Sequence, residues 1–366
     1  MGWLYTLMPI ANVAIAWPGL LILGLGVGMI AGFFGMGGGW MVTPGLNILG
    51  FPMAFAVGTG VAQMAGPSLI STLRHAKFGN VDYRLGIIMV AGTVGGFEPG
   101  AQLVMWLERH GKVDLYLQYG YLALLTLIAW LVFTDIARKR AKDRKARAVG
   151  KMPDASSGGI EWHKTLHKLE IPPMMTFPKA GIRCSIWLPI SVSFLTGLMA
   201  GILGIGGGLI RMPALIYLIG CPTHVAVGTD LFEVTISGLY GAASYSYKGR
   251  TELLAAVIML MGASVGAQIG SVATKYVKGY GIRTFFGIAV IGCGVSIVLK
   301  LAAAAYPVAR APLNTVAMVL ILGLVGALSL YIFLCFLRGA RAELAAKKAA
   351  LDPAPVGAAG RAADIK

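Results

Sequence analysis

Four ionisable side chains, Arg211, Asp230, Glu233 and Glu98, stand inside otherwise apolar stretches of this 366-residue chain. An ionisable group at the middle of a membrane span costs about 2.5–3.5 kcal/mol on insertion scales, which makes each of them a functional candidate. Asp230 and Glu233 are three residues apart and share one face of a helix, where Arg211 can pair with either. Two chemistries fit that trio. One is a buried ion pair with a structural role. In the other, Arg211 binds a substrate anion while a carboxylate takes up a proton, coupling anion movement to a proton gradient. Glu98 is followed by Pro99, so it either lines a cavity as a third proton-coupling candidate or lies solvated near a kinked helix end. Thr59 and Thr229, each beside a glycine, offer a hydroxyl to an oxyanion; the alternative is a threonine bonded to its own helix.

Two glycine triplets accompany these residues: Gly37, Gly38 and Gly39, and Gly206, Gly207 and Gly208. Each glycine costs a helix about 1 kcal/mol relative to alanine, so both triplets should break a helix. A break within a bilayer is tolerated where the freed backbone is buried in protein or lines a cavity. After each break comes a short apolar piece, Trp40 to Leu49 or Leu209 to Gly220, carrying Pro44 or Pro213. Such discontinuous helices, in matching positions of two halves, point to a transporter's substrate site, where the freed N–H groups suit an anion; the alternative is that the triplets merely let helices pack closely. The glycines spaced by four, Gly28, Gly32, Gly197 and Gly201, have the simpler task of letting helices pack closely.

The elements that must position these residues come in two similar sets. Apolar runs of spanning length lie near Pro18 to Phe34, Met53 to Leu73, Leu85 to Leu107 and Leu115 to Thr134. A second set lies near Cys184 to Leu203, Thr223 to Tyr245, Leu253 to Thr274 and Ile282 to Ala302, with an additional run near Leu313 to Leu337. The glycine segments and Pro44 align with Pro213; after a one-residue insertion Pro52, Gly58 and Thr59 align with Pro222, Gly228 and Thr229. The register continues to Gly100 and Gly270, and it sets Gln63 opposite Glu233 and Glu98 opposite Gln268. Internal similarity of this length points to an ancestral duplication.

Hydrophobic residues make up 57% of the chain, charged residues only 13%, and the mean hydropathy is +0.76, a balance suited to lipid. The formal charge of +16 gathers between apolar runs, at Arg138 to Lys151, Lys275 to Arg283 and Arg338 to Lys348, as in cytoplasmic loops facing anionic lipid. Nucleic-acid binding is the weaker reading of that charge. The cysteines Cys184, Cys221, Cys293 and Cys335 form no CxxC pair and no metal-ligand spacing with histidine, so no metal, cofactor or disulfide is assigned. Ala14-x-Ala16 is read as an uncleaved start, because it lacks a basic preceding region. Trp162, Leu166 and Leu169, at helical spacing, suggest either a short helix on the membrane surface or a disordered loop. Arg74, His75 and Lys77 are read as interfacial anchors.

The segment Ala200-Gly201-Ile-Leu-Gly204-Ile-Gly206-Gly207-Gly208 with Pro213 resembles the sulfite exporter TauE/SafE family, also called the toluene sulfonate uptake permeases. So do Pro222-Thr-His-Val-Ala-Val-Gly228-Thr229 and Gly262-Ala-Ser-Val-Gly266-Ala-Gln268-Ile-Gly270. The first copy matches with variations at Met36 and at Gly95 to Gly100. The resemblance implies an inner-membrane permease for sulfite, sulfonates or related small anions, and leaves the individual substrate open.

The expectation is an all-α integral membrane protein of two homologous four-span repeats with glycine-broken re-entrant segments, plus one C-terminal span. The organisation expected is 1–134 first repeat, 135–183 basic cytoplasmic linker, 184–302 second repeat, 303–337 additional helix and 338–366 basic polar tail. Substrate binding is assigned to both glycine triplets, Thr59, Thr229 and Arg211. Proton coupling is assigned to Glu233, Asp230 and Glu98. A small anion and the bilayer are the partners, a homo-oligomer stays open, and a passive channel or a membrane subunit of a sulfur-metabolising enzyme complex are the rival functions. Whether the repeats are parallel or inverted turns on whether the short pieces cross.

Overall fold

A computed structural model describes residues 5–148, 171–277 and 279–351. The protein is an all-α membrane protein, with seven helices among the described residues long and apolar enough to cross a bilayer. Helix α1 spans Trp17–Phe34, α2 Gly39–Ile48, α3 Met53–Lys77, α4 Tyr83–Arg109 and α5 Val113–Ala148. The same order returns with α6 Trp187–Leu203, α7 Gly208–Ala214, α8 Thr223–Tyr247, α9 Leu253–Ala273 and α10 Gly279–Ala305; α11, Arg310–Leu351, follows. Helix α7 continues as a π-helical turn, Leu215–Ile219. Helix α8 has the length of a span, 25 residues, but buries Asp230 and Glu233; α6 has 17 residues. The surface helix suggested at Trp162 to Leu169 lies outside the described residues.

Glycine stripes dictate how the halves meet. Gly24, Gly28 and Gly32 of α1 lie against Met259, Ala263 and Ala267 of α9, so closely that a Cβ at any of them would press into backbone. Gly262, Gly266 and Gly270 of α9 return the contact onto α1, and Gly92, Gly96 and Gly100 of α4 do the same against α6. These are small-xxx-small interfaces, in which absent side chains let backbones touch.

The order of contacts gives directions. Numbers rise together along α1 and α9, which are parallel, and along α4 and α6. Along α3 and α8 they run oppositely, from Gly58 beside Tyr245 to Thr72 beside Thr235. Helices α3 and α8 hold equivalent places in the two halves, so the halves point in opposite directions. The short pieces therefore do turn the chain back, which is the inverted arrangement.

Two antiparallel hairpins precede α1 and α6: β1 (Tyr5–Met8) with β2 (Val13–Ala16), and β3 (Met174–Phe177) with β4 (Ile182–Ser185). Neither is anticipated by the sequence, and the second occupies part of the stretch read as linker and the start of the Cys184 run. At about 1.5 Å per residue, the 36 residues of α5 outreach a bilayer's core of roughly 30 Å. Asp135, on this helix, is buried and accepts a hydrogen bond from the Tyr217 hydroxyl at 2.7 Å.

Candidate functional site

Helix α1 stops at Gly35 (φ +76°), and Gly37 and Gly38 (φ +69° and +79°) carry the chain into α2. In the second half Gly204, Gly206 and Gly207 take φ of +69°, +68° and +74°. Three left-handed residues in five are affordable only as glycine, because a Cβ there costs roughly 1–2 kcal/mol each. The two breaks cross inside the protein. A Cβ on Gly39 would stand 2.6 Å from the Gly204 carbonyl, and one on Gly208 would stand 2.8 Å from Met36 Cα. Met64 of α3 and Val234 of α8 press on Gly37 and Gly206, so the six triplet glycines share one enclosed crossing.

Beside it lies the charged trio. Arg211, fully buried on α7, ion-pairs with Asp230 at 3.3 Å and more closely with Glu233, both fully buried on α8. Its Nε donates to Thr196 Oγ1 at 3.3 Å and its Nη2 to the Gly206 carbonyl at 3.1 Å, so the guanidinium is tied to the second break. Gly207 makes room for it, since a Cβ there would strike Nη2. With both carboxylates ionised the trio sums to one negative charge in a water-excluded place.

At the first break the polar groups are neutral. The first turn of α2 leaves N–H groups that no carbonyl of its own helix reaches, although Met41 and Val42 turn back to the Gly38 carbonyl. Ser68 of α3 is buried with its Oγ unpartnered among the described residues, and it is directed at Gly37.

A family model for the sulfite exporter TauE/SafE matches residues 20–297, three quarters of the sequence, including both breaks and the trio. The chain belongs to the TauE/SafE family. Among its relatives is the probable membrane transporter protein YunE of Bacillus subtilis, 25% identical over 77% of this chain and 97% of the relative. A probable membrane transporter protein of Xylella fastidiosa strain 9a5c is 25% identical over 75% and 92%. The probable membrane transporter protein MJ0441 of Methanocaldococcus jannaschii is 27% identical over 62% and 72%. No solved structure gives a significant match. The relatives are named for transport, not for catalysis, and this TauE/SafE protein is a multi-pass membrane protein.

The remaining residues singled out in the TauE/SafE sequence are placed elsewhere. Thr59 Oγ1 accepts from the backbone N–H of Glu252 at 3.0 Å, and Thr229 Oγ1 accepts from that of Asp82 at 3.0 Å. Glu252 in turn accepts from Ile10 and Ala11 N–H in the first hairpin; Asp82 accepts from Lys179 and Ala180 N–H in the second. Each threonine thus anchors a clasp that joins a helix start, an acidic loop residue and a hairpin. The register of the halves pairs Asp82 with Glu252, which marks the two acids as equivalent in the sequence without showing the threonine or the hairpin that each one meets.

Glu98 is not brought to Arg211. It lies on α4, about a third exposed, and accepts from Lys248 Nζ, Ser244 Oγ and Gln102 Nε2, each at 2.7 Å. His75 is no surface anchor: it is buried, and neither ring nitrogen has a partner among the described residues.

Proposed function

We propose that this chain is a proton-coupled permease for sulfite, organosulfonates or related small anions of the cytoplasmic membrane, working by alternating access around the glycine crossing. The observation that carries the reading is the enclosed trio of Arg211, Asp230 and Glu233 beside two helix breaks. A buried site with one cation and two carboxylates becomes neutral when one carboxylate binds a proton. That proton also releases one of the two partners of the guanidinium, which an incoming oxyanion then replaces. The N–H groups at the start of α2 and the Ser68 hydroxyl supply neutral donors from the opposite half. Because coupling is reciprocal, the anion raises proton affinity by the same factor that the proton raises anion affinity.

The family description supports sulfite as the first substrate to try. Orientation follows from charge: the C-terminal part of α5, Lys275 and the C-terminal part of α11 lie at one end of the molecule, where Tyr276 bonds Glu343. That end is cytoplasmic in this reading. The test is uptake of labelled sulfite into proteoliposomes, with sulfate, thiosulfate and taurine as competitors, with and without an imposed pH gradient. Saturable flux that follows the gradient is the expected result. Flux indifferent to the gradient would make the protein a channel, and no flux of any of these anions would end the proposal.

A further inference from the structure

A cavity of about 440 Å³ opens at the end of the molecule opposite the basic segments, where α2 and α10 finish and α3, α5 and α11 begin. At ~30 Å³ per water that is room for roughly fifteen waters. Its polar lining comprises Asn47, Asp114, Gln118, Lys300, Arg310 and Asn314. Most of these groups are already engaged. Asp114 Oδ1 accepts from Met53 N–H at 2.8 Å, at the start of α3. Asn47 donates to the Phe51 carbonyl at 3.0 Å and accepts from Gln118 at 3.2 Å.

The two cations are different. Lys300 caps the C-terminal end of α2 by donating to the Asn47 carbonyl, which uses one of its three N–H groups. Arg310 is exposed and makes no ion pair among the described residues, and neither does Lys300. Two cations therefore face one recess against a single acid, Asp114, whose charge acts on Lys300 while one of its oxygens accepts at the start of α3, which leaves the recess a net positive charge. Both cations lie beyond residue 297, where the family match ends, so the positive side of the recess is supplied by the part of the chain that the family pattern does not describe, while Asn47, Asp114 and Gln118 lie within the match.

We infer that this recess is an oxyanion-binding vestibule. The group bound carries a sulfonate-like or phosphate-like head, met by Lys300, Arg310 and the amide of Asn314. The inference rests on the anion-permease reading and adds to it a waiting site at the end opposite the C-terminal parts of α5 and α11. Helix α2 joins the two places, because Lys300 holds its C-terminal end while its N-terminal end forms the first glycine break, about 15 Å away for ten residues.

The experiment uses the full chain in neutral-lipid vesicles, with Lys300→Gln and Arg310→Gln compared against Lys300→Arg. Loss of a cation from a charged recess should raise the sulfite KM about tenfold with kcat held within about twofold, and the effect should fade at high salt. Lys300→Arg should stay near the parent value. Mass spectrometry of the intact protein distinguishes the sources of the oxyanion. A retained anionic phospholipid that Arg310→Gln sheds would assign the recess to a headgroup; a shifted KM without retained lipid would assign it to the transported anion. An unchanged KM with no lipid retained would overturn the inference. Should the parent carry no anion at all, calorimetric titration of parent and Arg310→Gln protein with sulfite and sulfate still decides: equal binding, or none, overturns it.

Discussion

The two helix breaks have nearly the same backbone and opposite chemistry. Where the second half has Arg211, Asp230 and Glu233, the register of the halves puts Val42, Gly60 and Gln63 in the first. Gly60 sits against Val42 and Thr43 as Asp230 sits against Arg211, and Gln63 is buried with its amide unpartnered among the described residues. Both breaks close equally well, so charge is not what makes a break fold. The neutral half shows what the backbone needs; the charged half carries in addition a buried trio with a desolvation cost of its own, which the proposed permease would use.

The largest effect should come from breaking the charged side alone. Arg211→Ala leaves two carboxylates buried without a cation, and removing one partner of such a group costs about 3–5 kcal/mol, readable as a lowered unfolding midpoint in detergent, with flux lost. Adding the residues of the other half, as Arg211→Val with Asp230→Gly and Glu233→Gln, should recover much of that stability without recovering gradient-driven flux. A triple variant less stable than Arg211→Ala would show that the two breaks are not equivalent.

Gly207→Val and Gly38→Val test the shared backbone. Both residues have left-handed φ, and the new side chain would meet Arg211 in one case and Val27 in the other. Both variants should insert into the membrane and move no anion; normal flux in both would remove the crossing from the mechanism.

The clasps should respond alike. Thr59→Val and Thr229→Val each leave a buried backbone N–H without its acceptor, a loss of about 1–3 kcal/mol, and unequal losses in thermal unfolding would show that one clasp matters more. Glu98→Gln should do least. Its pair with Lys248 is partly solvated, worth about 1 kcal/mol or less, and the pH dependence of flux should not change.

Much of this arrangement is legible in the sequence because its signals are local. Runs of apolar residues give the spans, three consecutive glycines give the breaks, and the i, i+3 spacing of Asp230 and Glu233 gives a shared face for Arg211. What escapes is long-range and polar. Thr59 finds Glu252 almost two hundred residues away, and Asp135 finds Tyr217 across the centre of the chain, so neither partner leaves a mark on the neighbouring residues. The hairpins escape for another reason. Their strands have four residues each and are held by an acid from the opposite half, not by a hydrophobic alternation of their own.

The glycine stripe of α1 also governs how the chain is made. Its counterpart on α9 lies more than two hundred residues downstream, so at ordinary synthesis rates α1 enters the bilayer roughly 10–50 s before the surface it fits exists. During that interval its bare backbone faces lipid, and α4 waits similarly, though more briefly, for α6. The halves are interlaced, not stacked. Neither half covers its own glycine stripes, and a ribosome that stalls before α9 leaves the α1 stripe without the surface it fits.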